Sequence, residues 1–215
     1  MAENTYFCAV QHKSDLILDF RIWISRFIRR KGFGVQSPFA YNLICNVINE
    51  KGMYYSYDLL QQERMKKPKS ELRNNIKSDK LLFRLANYVQ PSIMIIPEKE
   101  FSMSKRYATS GCKAARTVSY SDCRELSQIT RWGIQTELLY VRGDSCDEST
   151  LLNIITQLNE HSLLIVENIH KNSKSKHLWH ELVNSSSAVL TFDLYSCGLV
   201  FFNRKYVKQH YITGF

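Results

Sequence analysis

The sequence predicts a three-layer α/β sandwich whose mostly parallel sheet ends in an antiparallel hairpin. Short apolar runs recur after Pro91, and segments with helical periodicity lie between several of them. This alternation is typical of a parallel sheet with helices on both faces. The last two runs are too close together for a parallel crossover, so they are expected to pair as a hairpin.

Six apolar runs form the predicted strands. They are Ile93–Ile96, Arg116–Tyr120, Leu138–Val141, Leu163–Val166, Ala188–Phe192 and Leu199–Phe202. Between the earlier runs, Thr150–Leu158 and His177–Val183 have the apolar spacing of helices. Between the last two runs, we expect Ser196, Cys197 and Gly198 to form the hairpin turn.

The N-terminal part of the chain is predicted to be helical. Apolar residues recur at helical spacing over 16–28, and Gly32–Gly34 ends that helix. A second helix begins at Ser37-Pro38, because proline suits the first turn of a helix. A polar stretch then marks a boundary. We therefore divide the chain into a helical N-terminal extension, residues 1–80, and an α/β domain, residues 81–215.

The composition indicates a globular chain with a substantial core. The 215 residues are 44% hydrophobic and 12% aromatic, which excludes a disordered chain. No apolar run reaches the roughly 18 residues of a membrane span, and the start lacks the pattern of a secretory signal. With 29 Lys+Arg against 20 Asp+Glu, the net charge of +9 predicts weak attraction to polyanions.

The cysteines are dispersed along the chain and form no C-x-x-C pair. They are Cys8, Cys45, Cys112, Cys123, Cys146 and Cys197. Neither a zinc knuckle nor a redox motif is therefore predicted. Without a secretory signal, dispersed cysteines indicate free thiols in a reducing cytoplasm, which is the location we expect.

Five segments occur in an order that resembles a known family. They are Gly34–Phe39, Leu81–Pro91, Glu167–His170, Phe192–Phe202 and Lys208–Tyr211. Together they resemble methyltransferase-like proteins common in Bacteroidetes, which are related to small-molecule O-methyltransferases. The resemblance spans about residues 26–215, and the C-terminal hairpin is its most specific part. It implies a Rossmann-like methyltransferase fold and, for an active member, S-adenosylmethionine as the cofactor.

The resemblance also implies a set of site residues. Asp122 is the substitute for the acid that holds the cofactor ribose, and Gly143 and Asp144 follow a strand that borders the cofactor. Glu167, Asn168 and His170 are expected near the methyl acceptor. Glu167 and Asn168 carry oxygens that suit a cation, but we assign no metal site.

Several departures from the family fall at positions that matter for catalysis. The stretch Pro97–Ser104 has no glycine where relatives have a glycine-rich cofactor loop. Arg142 stands where relatives carry an acid, and arginine neither accepts a proton nor binds a hard cation. Gln36 replaces a histidine. The segment between Cys123 and Glu137 is too short for the strand and helix that relatives hold there. These changes are typical of a degenerate member.

Four groups of residues carry a functional and a plain structural interpretation. His170, His177 and His180 with Glu167 suggest a metal cluster, but solvated surface histidines are the more common case. Arg142 and Asp144 form either an anion site or a simple ion pair. Tyr54–Tyr57 offers a base-stacking platform or aromatic packing. The basic helix 16–30 lies on an anionic membrane or contributes its apolar stripe to the core.

Three functional hypotheses follow. The favoured one is a methyltransferase-fold protein that has lost cofactor binding and catalysis and is kept for binding an unidentified small molecule or protein. The first alternative is an active S-adenosylmethionine-dependent methyltransferase acting on a small molecule. The second is weak, nonspecific nucleic-acid binding through Arg26, Arg29, Arg30, Lys31 and the basic stretch 66–80.

The loop after the first predicted strand carries a specific structural expectation. Side chains there occupy space that relatives keep open with glycine. We expect Phe101 or Met103 to fill the space above the strand ends, with Arg142 at its rim. Burial of the Phe101 ring would stabilise the protein by about 2 kcal/mol.

Overall fold

The computed structural model describes residues 24, 26–68, 72, 75–98, 102–131 and 135–215. Its centre is a seven-stranded sheet with the order β2-β1-β3-β4-β6-β5-β7. The strands are β1 (Ile93–Pro97), β2 (Arg116–Tyr120), β3 (Leu138–Arg142), β4 (Leu163–Glu167), β5 (Leu190–Asp193), β6 (Cys197–Phe201) and β7 (Gln209–Ile212). The first four strands are parallel, β6 is antiparallel to both neighbours, and β7 is parallel to β5. The predicted fold class is confirmed.

The helices form where the sequence supplies caps and periodic apolar residues. They are α1 (Pro38–Leu43), which continues into a π-helix (Ile44–Ile48), α2 (Tyr55–Met65), α3 (Ile76–Val89), α4 (Ser102–Gly111), α5 (Cys123–Arg131), α6 (Glu148–Ile155) and α7 (Ser173–Asn184). The side chains of Ser37, Asn75, Asp147 and Asn172 each accept a hydrogen bond from a backbone N–H in the first turn of a helix. Residues 26–29 are also helical, and the earlier part of the predicted helix 16–28 lies outside the described residues.

Each face of the sheet carries its own apolar layer. Alternate residues of β1 point to opposite faces, so Met94 and Ile96 pack with α1, the π-helix and α3, whereas Ile95 packs with α5, α6 and α7. The helices before β1 therefore share one core with the strands. Helix α3 runs across position 80, where the sequence analysis ends the N-terminal extension. Among the described residues, no helix combines the length and hydrophobicity needed to cross a bilayer.

The C-terminal hairpin is confirmed, but its turn lies earlier than predicted. Cys197 and Gly198 are already the first residues of β6, paired with Glu167 and Val166 of β4. The turn is Leu194–Ser196, and Tyr195 has a positive φ of 74°. The sequence analysis also missed β7, a short and mostly exposed strand at the edge of the sheet. Its few polar residues give no strand periodicity.

The prediction of six free thiols is wrong. Cys123, at the start of α5, and Cys146, after β3, form a disulfide with their Cα atoms 5.6 Å apart. Sequence spacing did not reveal this pair, because parallel strands bring loops that are distant in sequence to one edge of the sheet. Cys45, Cys112 and Cys197 are free, and Cys8 lies outside the described residues.

A small aromatic cluster joins three helices. Tyr57, Phe83 and Tyr107 lie in it with Leu60 and Met103, and the ring centroids of Tyr57 and Phe83 are 5.1 Å apart. The packing interpretation of the tyrosine-rich segment is confirmed for Tyr54 and Tyr57, whereas Tyr55 is fully exposed. Met103 is buried among helical residues in this cluster.

The expectation for the loop after β1 concerned a second side chain, Phe101. This residue lies outside the described residues, so that part of the expectation stays a prediction.

Packing leaves no room for a side chain at Gly198. A Cβ there would collide with the buried ring of Trp179 on α7, so glycine lets the helix approach β6. We expect Gly198→Ala to lower the free energy of unfolding by about 1–3 kcal/mol, as overpacked cores do. Urea unfolding measures this loss. Gly52→Ala is the control, because its Cβ would meet only the flexible Glu50 side chain. Equal losses in the two variants would contradict the packing argument.

Candidate functional site

The candidate site lies at the edge of the sheet where the parallel strands end. Register places Arg142 beside Glu167, and Glu167 beside Cys197. Asp193, at the end of β5, pairs with Gly198 on the same edge. In open α/β sheets this edge is the usual place for ligands. With Asp144, which follows β3, three buried or partly buried acids therefore lie at this edge. Their partners determine what the edge can bind.

Glu167 is a buried acid of this edge, and it is the last residue of β4. The sequence analysis ends this strand one residue earlier, at Val166. Burial raises the pKa of Glu167 to about 7, although a hydrogen bond with the Tyr140 side chain partly offsets that effect. The cavity beside Glu167 has a volume of about 10 Å³. That is at most the space of one water molecule, so this cavity holds no substrate-sized group.

Asp144 is held by two cations of the same edge. Arg142 donates two hydrogen bonds to it, from Nε to Oδ1 at 2.9 Å and from Nη2 to Oδ2 at 2.8 Å. Lys171 Nζ adds a bond to Oδ2 at 2.8 Å. Burial opposes ionisation of Asp144, but these bonds outweigh it and hold the pKa well below its usual value. Between the two interpretations of this pair, the geometry supports the internal ion pair.

Asp193 connects the N-terminal segment, here residues 26–31, to the sheet through Arg26. Arg26 Nη1 donates to Asp193 Oδ1 at 2.9 Å and to the Thr213 carbonyl at 3.2 Å. His170 Nε2 lies 2.7 Å from Asp193 Oδ2, and the Tyr195 N–H donates to Oδ1 at 2.8 Å. Burial opposes ionisation, but the bonds from His170 and Arg26 prevail and lower the pKa of Asp193 to about 2.

A fourth acid, Asp79, is fully buried in the first turn of α3. Its Oδ1 accepts a hydrogen bond of 2.6 Å from the Ser104 hydroxyl of α4. Its Oδ2 forms an ion pair with Arg64 of α2. The negative charge of Asp79 also contributes to the raised pKa of Glu167, so the two acids lie within electrostatic reach of each other.

The structure separates the predicted acceptor residues into two groups. Glu167 faces Tyr140 and Cys197 inside the sheet edge. His170 instead lies on Asp193, and its ring stacks on Tyr195 with centroids 5.4 Å apart. Asn168 has a positive φ of 61° and donates its backbone N–H to the Ser196 carbonyl at 2.7 Å, which fixes the hairpin turn against β4.

The predicted cofactor residues also serve local structure. The Oδ1 atom of Asp122 accepts bonds from the N–H groups of Arg124 and Glu125 at 2.9 and 2.8 Å, so it caps α5. Gly143 is packed, because a Cβ there would lie 3.1 Å from the Glu167 carbonyl oxygen. Asp144 is the acid held by Arg142. Their assignment to a cofactor stays a prediction.

The histidines do not gather into a metal centre. His177 and His180 are exposed on α7 and lie near Glu148 and Glu181 respectively, as the surface interpretation predicts. His170 is the exception, because it is half-buried against Asp193. Within the described ranges, no group of three or more metal-binding side chains is found.

Sequence reasoning missed the residues that neutralise the edge. The sequence analysis assigns Arg26 to nucleic-acid binding, and Arg64 and Asp79 lie in the polar stretch that marks the boundary between the two parts of the chain. One signal was present in the sequence. A charge beside or inside an apolar helical run, as at Asp79 and Arg84, indicates a buried ion that needs a partner. The identity of the partner was not recoverable, because it comes from a distant segment.

Comparison with known proteins gives no match in sequence and clear matches in structure. No protein-family model matches the chain, and no curated protein matches it in sequence. A methyltransferase from Geobacter sulfurreducens superposes with a TM-score of 0.54 at 12% identity, covering 72% of this chain and 92% of that one. A Staphylococcus aureus protein assigned as a caffeoyl-CoA O-methyltransferase gives 0.50 at 9% identity, over 69% and 93%. Cofactor-bound Rv0187 from MTB gives 0.50 at 10% identity, over 72% and 93%.

These similarities establish the fold. The parallel strands, the antiparallel hairpin and the flanking helices form the Rossmann-like sandwich of S-adenosylmethionine-dependent methyltransferases. At such low identity they carry no residue of the site from one protein to the other.

The raised pKa of Glu167 predicts a specific pH dependence of stability. Its pKa is about 7 in the folded protein against 4.5 ordinarily, so the unfolded state ionises first as the pH rises. The stability of the native protein should therefore fall between about pH 4.5 and 7 through this group. Glu167→Gln removes this loss, and we expect it to stabilise the protein by about 2–3 kcal/mol at pH 8 and little at pH 4. Urea unfolding at both values measures the difference. A pH-independent effect would contradict the assignment.

The Arg26–Asp193 pair predicts the opposite pH dependence. The folded pKa of Asp193 is about 2 against 3.8 ordinarily, so its stabilisation is present above pH 3.8 and lost as the pH falls towards 2. Arg26→Ala leaves a buried charge without its main partner, which should cost about 3 kcal/mol at pH 7 and less near pH 3. Arg29→Ala, an exposed neighbour, is the control and should change stability by less than about 0.5 kcal/mol. Equal losses from the two arginines would exclude the anchoring role.

Proposed function

We propose that this chain is a methyltransferase-fold protein that does not use S-adenosylmethionine and acts by binding another molecule. One observation carries the proposal. Of the acids at the ligand edge of the sheet, Asp144 and Asp193 are paired with cations of the chain itself, and Glu167 is buried beside a cavity of about 10 Å³. Among the described acids that follow β2 and β3, only Asp122 keeps an oxygen available for a cofactor hydroxyl group.

The strongest support comes from Asp144. Both of its oxygens accept bonds from Arg142 or Lys171, so binding a hydroxyl there requires breaking a charge-assisted contact. Gly143 beside it is closed by the Glu167 carbonyl. Asp122 keeps one carboxylate oxygen outside the cap of α5, but a single exposed acid provides little binding energy. The described residues therefore do not fit the cofactor.

The alternative function is an active methyltransferase, and one observation favours it. Glu167 titrates near neutral pH, as a general base does. The small volume beside it opposes this role, because a methyl acceptor has no place to approach the carboxylate. We therefore rank this alternative second.

Calorimetric titration with S-adenosylmethionine and with its demethylated product distinguishes the two functions. We expect no heat of binding up to about 1 mM of either ligand, which corresponds to less than about 4 kcal/mol of binding free energy. Micromolar binding that Asp122→Ala weakens would contradict the proposal and support the enzyme. Ser121→Ala is the matched control, because it changes the neighbouring side chain and leaves the carboxylate in place.

Nucleic-acid binding remains a weaker proposal than either function. Arg26 is not available for phosphate contacts, although the sequence analysis includes it in the nucleic-acid hypothesis, because its charge is neutralised by Asp193. Arg29 and Lys31 are exposed, so phosphate contacts without sequence preference are what this surface supports. We expect any RNA binding to weaken steeply with salt and to vanish at moderate ionic strength. Retention of one defined RNA at about 0.15 M salt would overturn this ranking.

A further inference from the structure

We propose that the cleft between the N-terminal segment, the π-helix and α3 binds a small molecule that carries a phosphorylated head and a planar apolar body. This inference rests on the proposed binding function and names its ligand class. The cleft has a volume of about 610 Å³, within the range of small-molecule sites. Five of its lining side chains are cationic, namely Arg30, Lys31, Lys51, Lys77 and Arg84.

The described residues do not balance the positive charge of this cleft. Arg84 is 8% exposed, and it donates to the carbonyl oxygens of Val47 and Ile48 at 2.6 and 2.9 Å rather than to an acid. Among the described residues Arg84 forms no ion pair. The one acidic side chain of the lining, Glu50, accepts a hydrogen bond of 2.7 Å from the Tyr54 hydroxyl. This contrasts with the sheet edge, where each ionised buried acid has its own cation.

Three exposed lysines complete the charge. Lys31, Lys51 and Lys77 line the cleft, and none of their side chains has a hydrogen bond or ion pair with another described residue. Lys77 lies in the first turn of α3, where a cation opposes the helix dipole and an acid is preferred. A bound anion would relieve these repulsions together, which makes the cleft selective for a ligand with several negative charges.

Hydrogen bonds of Asn49 hold the wall of the cleft in place. Asn49 follows the π-helix and connects it to the N-terminal segment. Its Oδ1 accepts from Arg30 Nε at 3.1 Å, and its Nδ2 donates to the carbonyls of Arg30 and Ile44 at 3.0 and 3.1 Å. The π-helix beside it is a rare conformation that occurs frequently at functional sites. Together these contacts hold the cationic side chains around one space.

Aromatic side chains of the cleft suit the planar apolar body of the proposed ligand. Phe27 and Tyr41 line it and are 54% and 50% exposed, and Arg30 Cζ lies 5.8 Å from the centroid of the Phe27 ring. Exposed rings beside cations suit a planar ring system that stacks while its charged head contacts the lysines. An oligophosphate head supplies the several negative charges that a single carboxylate lacks. A nucleoside polyphosphate has this combination of groups.

The site is distinct from the ligand edge of the sheet. Its lining contains neither Glu167 nor Asp144, the acids considered above for methyl transfer and for binding S-adenosylmethionine. The failure of one proposal can therefore be distinguished from the failure of the other. Binding of S-adenosylmethionine overturns the proposed function, whereas absence of phosphate binding overturns only the present inference.

Calorimetry with ATP, tripolyphosphate and adenosine as probes, at about 0.15 M salt, tests the inference. We expect saturable binding of ATP below about 1 mM, weaker binding of tripolyphosphate and none of adenosine. Lys31→Ala/Lys77→Ala should weaken ATP binding by about tenfold or more, because it removes two charge-assisted contacts. The second variant, Lys51→Ala, should also weaken ATP binding. All three lysines are exposed, and circular dichroism confirms that the variants fold.

Lys174→Ala is the matched control. Lys174 is exposed and is the second residue of α7, as Lys77 is the second residue of α3, but it lies outside the cleft. The control should change ATP affinity by less than about twofold. The inference is overturned if ATP and tripolyphosphate show no saturable binding at about 1 mM. It is also overturned if the control weakens binding as much as the double variant, or if RNA binds while ATP does not.

Discussion

The buried carboxylate of Asp193 is the constraint on which much of this structure depends. An ionised acid at the end of β5 cannot stay in the protein interior without a partner, because its desolvation costs several kcal/mol. Arg26, 167 positions earlier in the chain, supplies the main charge, and His170 supplies a second contact. This pair places the N-terminal segment over the strand end. The same segment then reaches Asn49 through Arg30, and the wall of the cationic cleft follows from that position.

The other acids of the edge obey the same rule with different partners. Asp144 forms ion pairs with Arg142 and Lys171. Asp79 forms an ion pair with Arg64 and accepts a hydrogen bond from the Ser104 hydroxyl. Glu167 has no cation at hydrogen-bonding distance among the described residues, and its carboxyl stays protonated up to neutral pH instead. An edge organised in this way is stable without a ligand. The fold is that of methyltransferases, but fold similarity alone does not carry the activity.

Most of the sheet could be predicted from sequence, because buried parallel strands appear as apolar runs and the hairpin spacing excludes a crossover. The strands β1 to β6 and the caps at Ser37 and Asn172 follow local rules that act within a few residues. The site followed no such rule. Arg26 and Asp193 meet only after the chain has folded, and the disulfide between Cys123 and Cys146 depends on the same convergence of loops. The cationic cleft was visible only as scattered lysines, since residues from four segments line it.

Asp144 and Asp193 at the sheet edge are neutralised by cations of the chain itself, and we propose that the unbalanced positive charge of the described residues lies in the cleft beside α3. A crystal structure grown with S-adenosylmethionine and tripolyphosphate together, each at millimolar concentration, tests both halves in one measurement. The account predicts phosphate density between Lys31 and Lys77, an intact Arg142–Asp144 pair and no cofactor at the ends of β1 and β3. Cofactor density at those strand ends, with Asp144 released from Arg142 to hold a hydroxyl group, would contradict it.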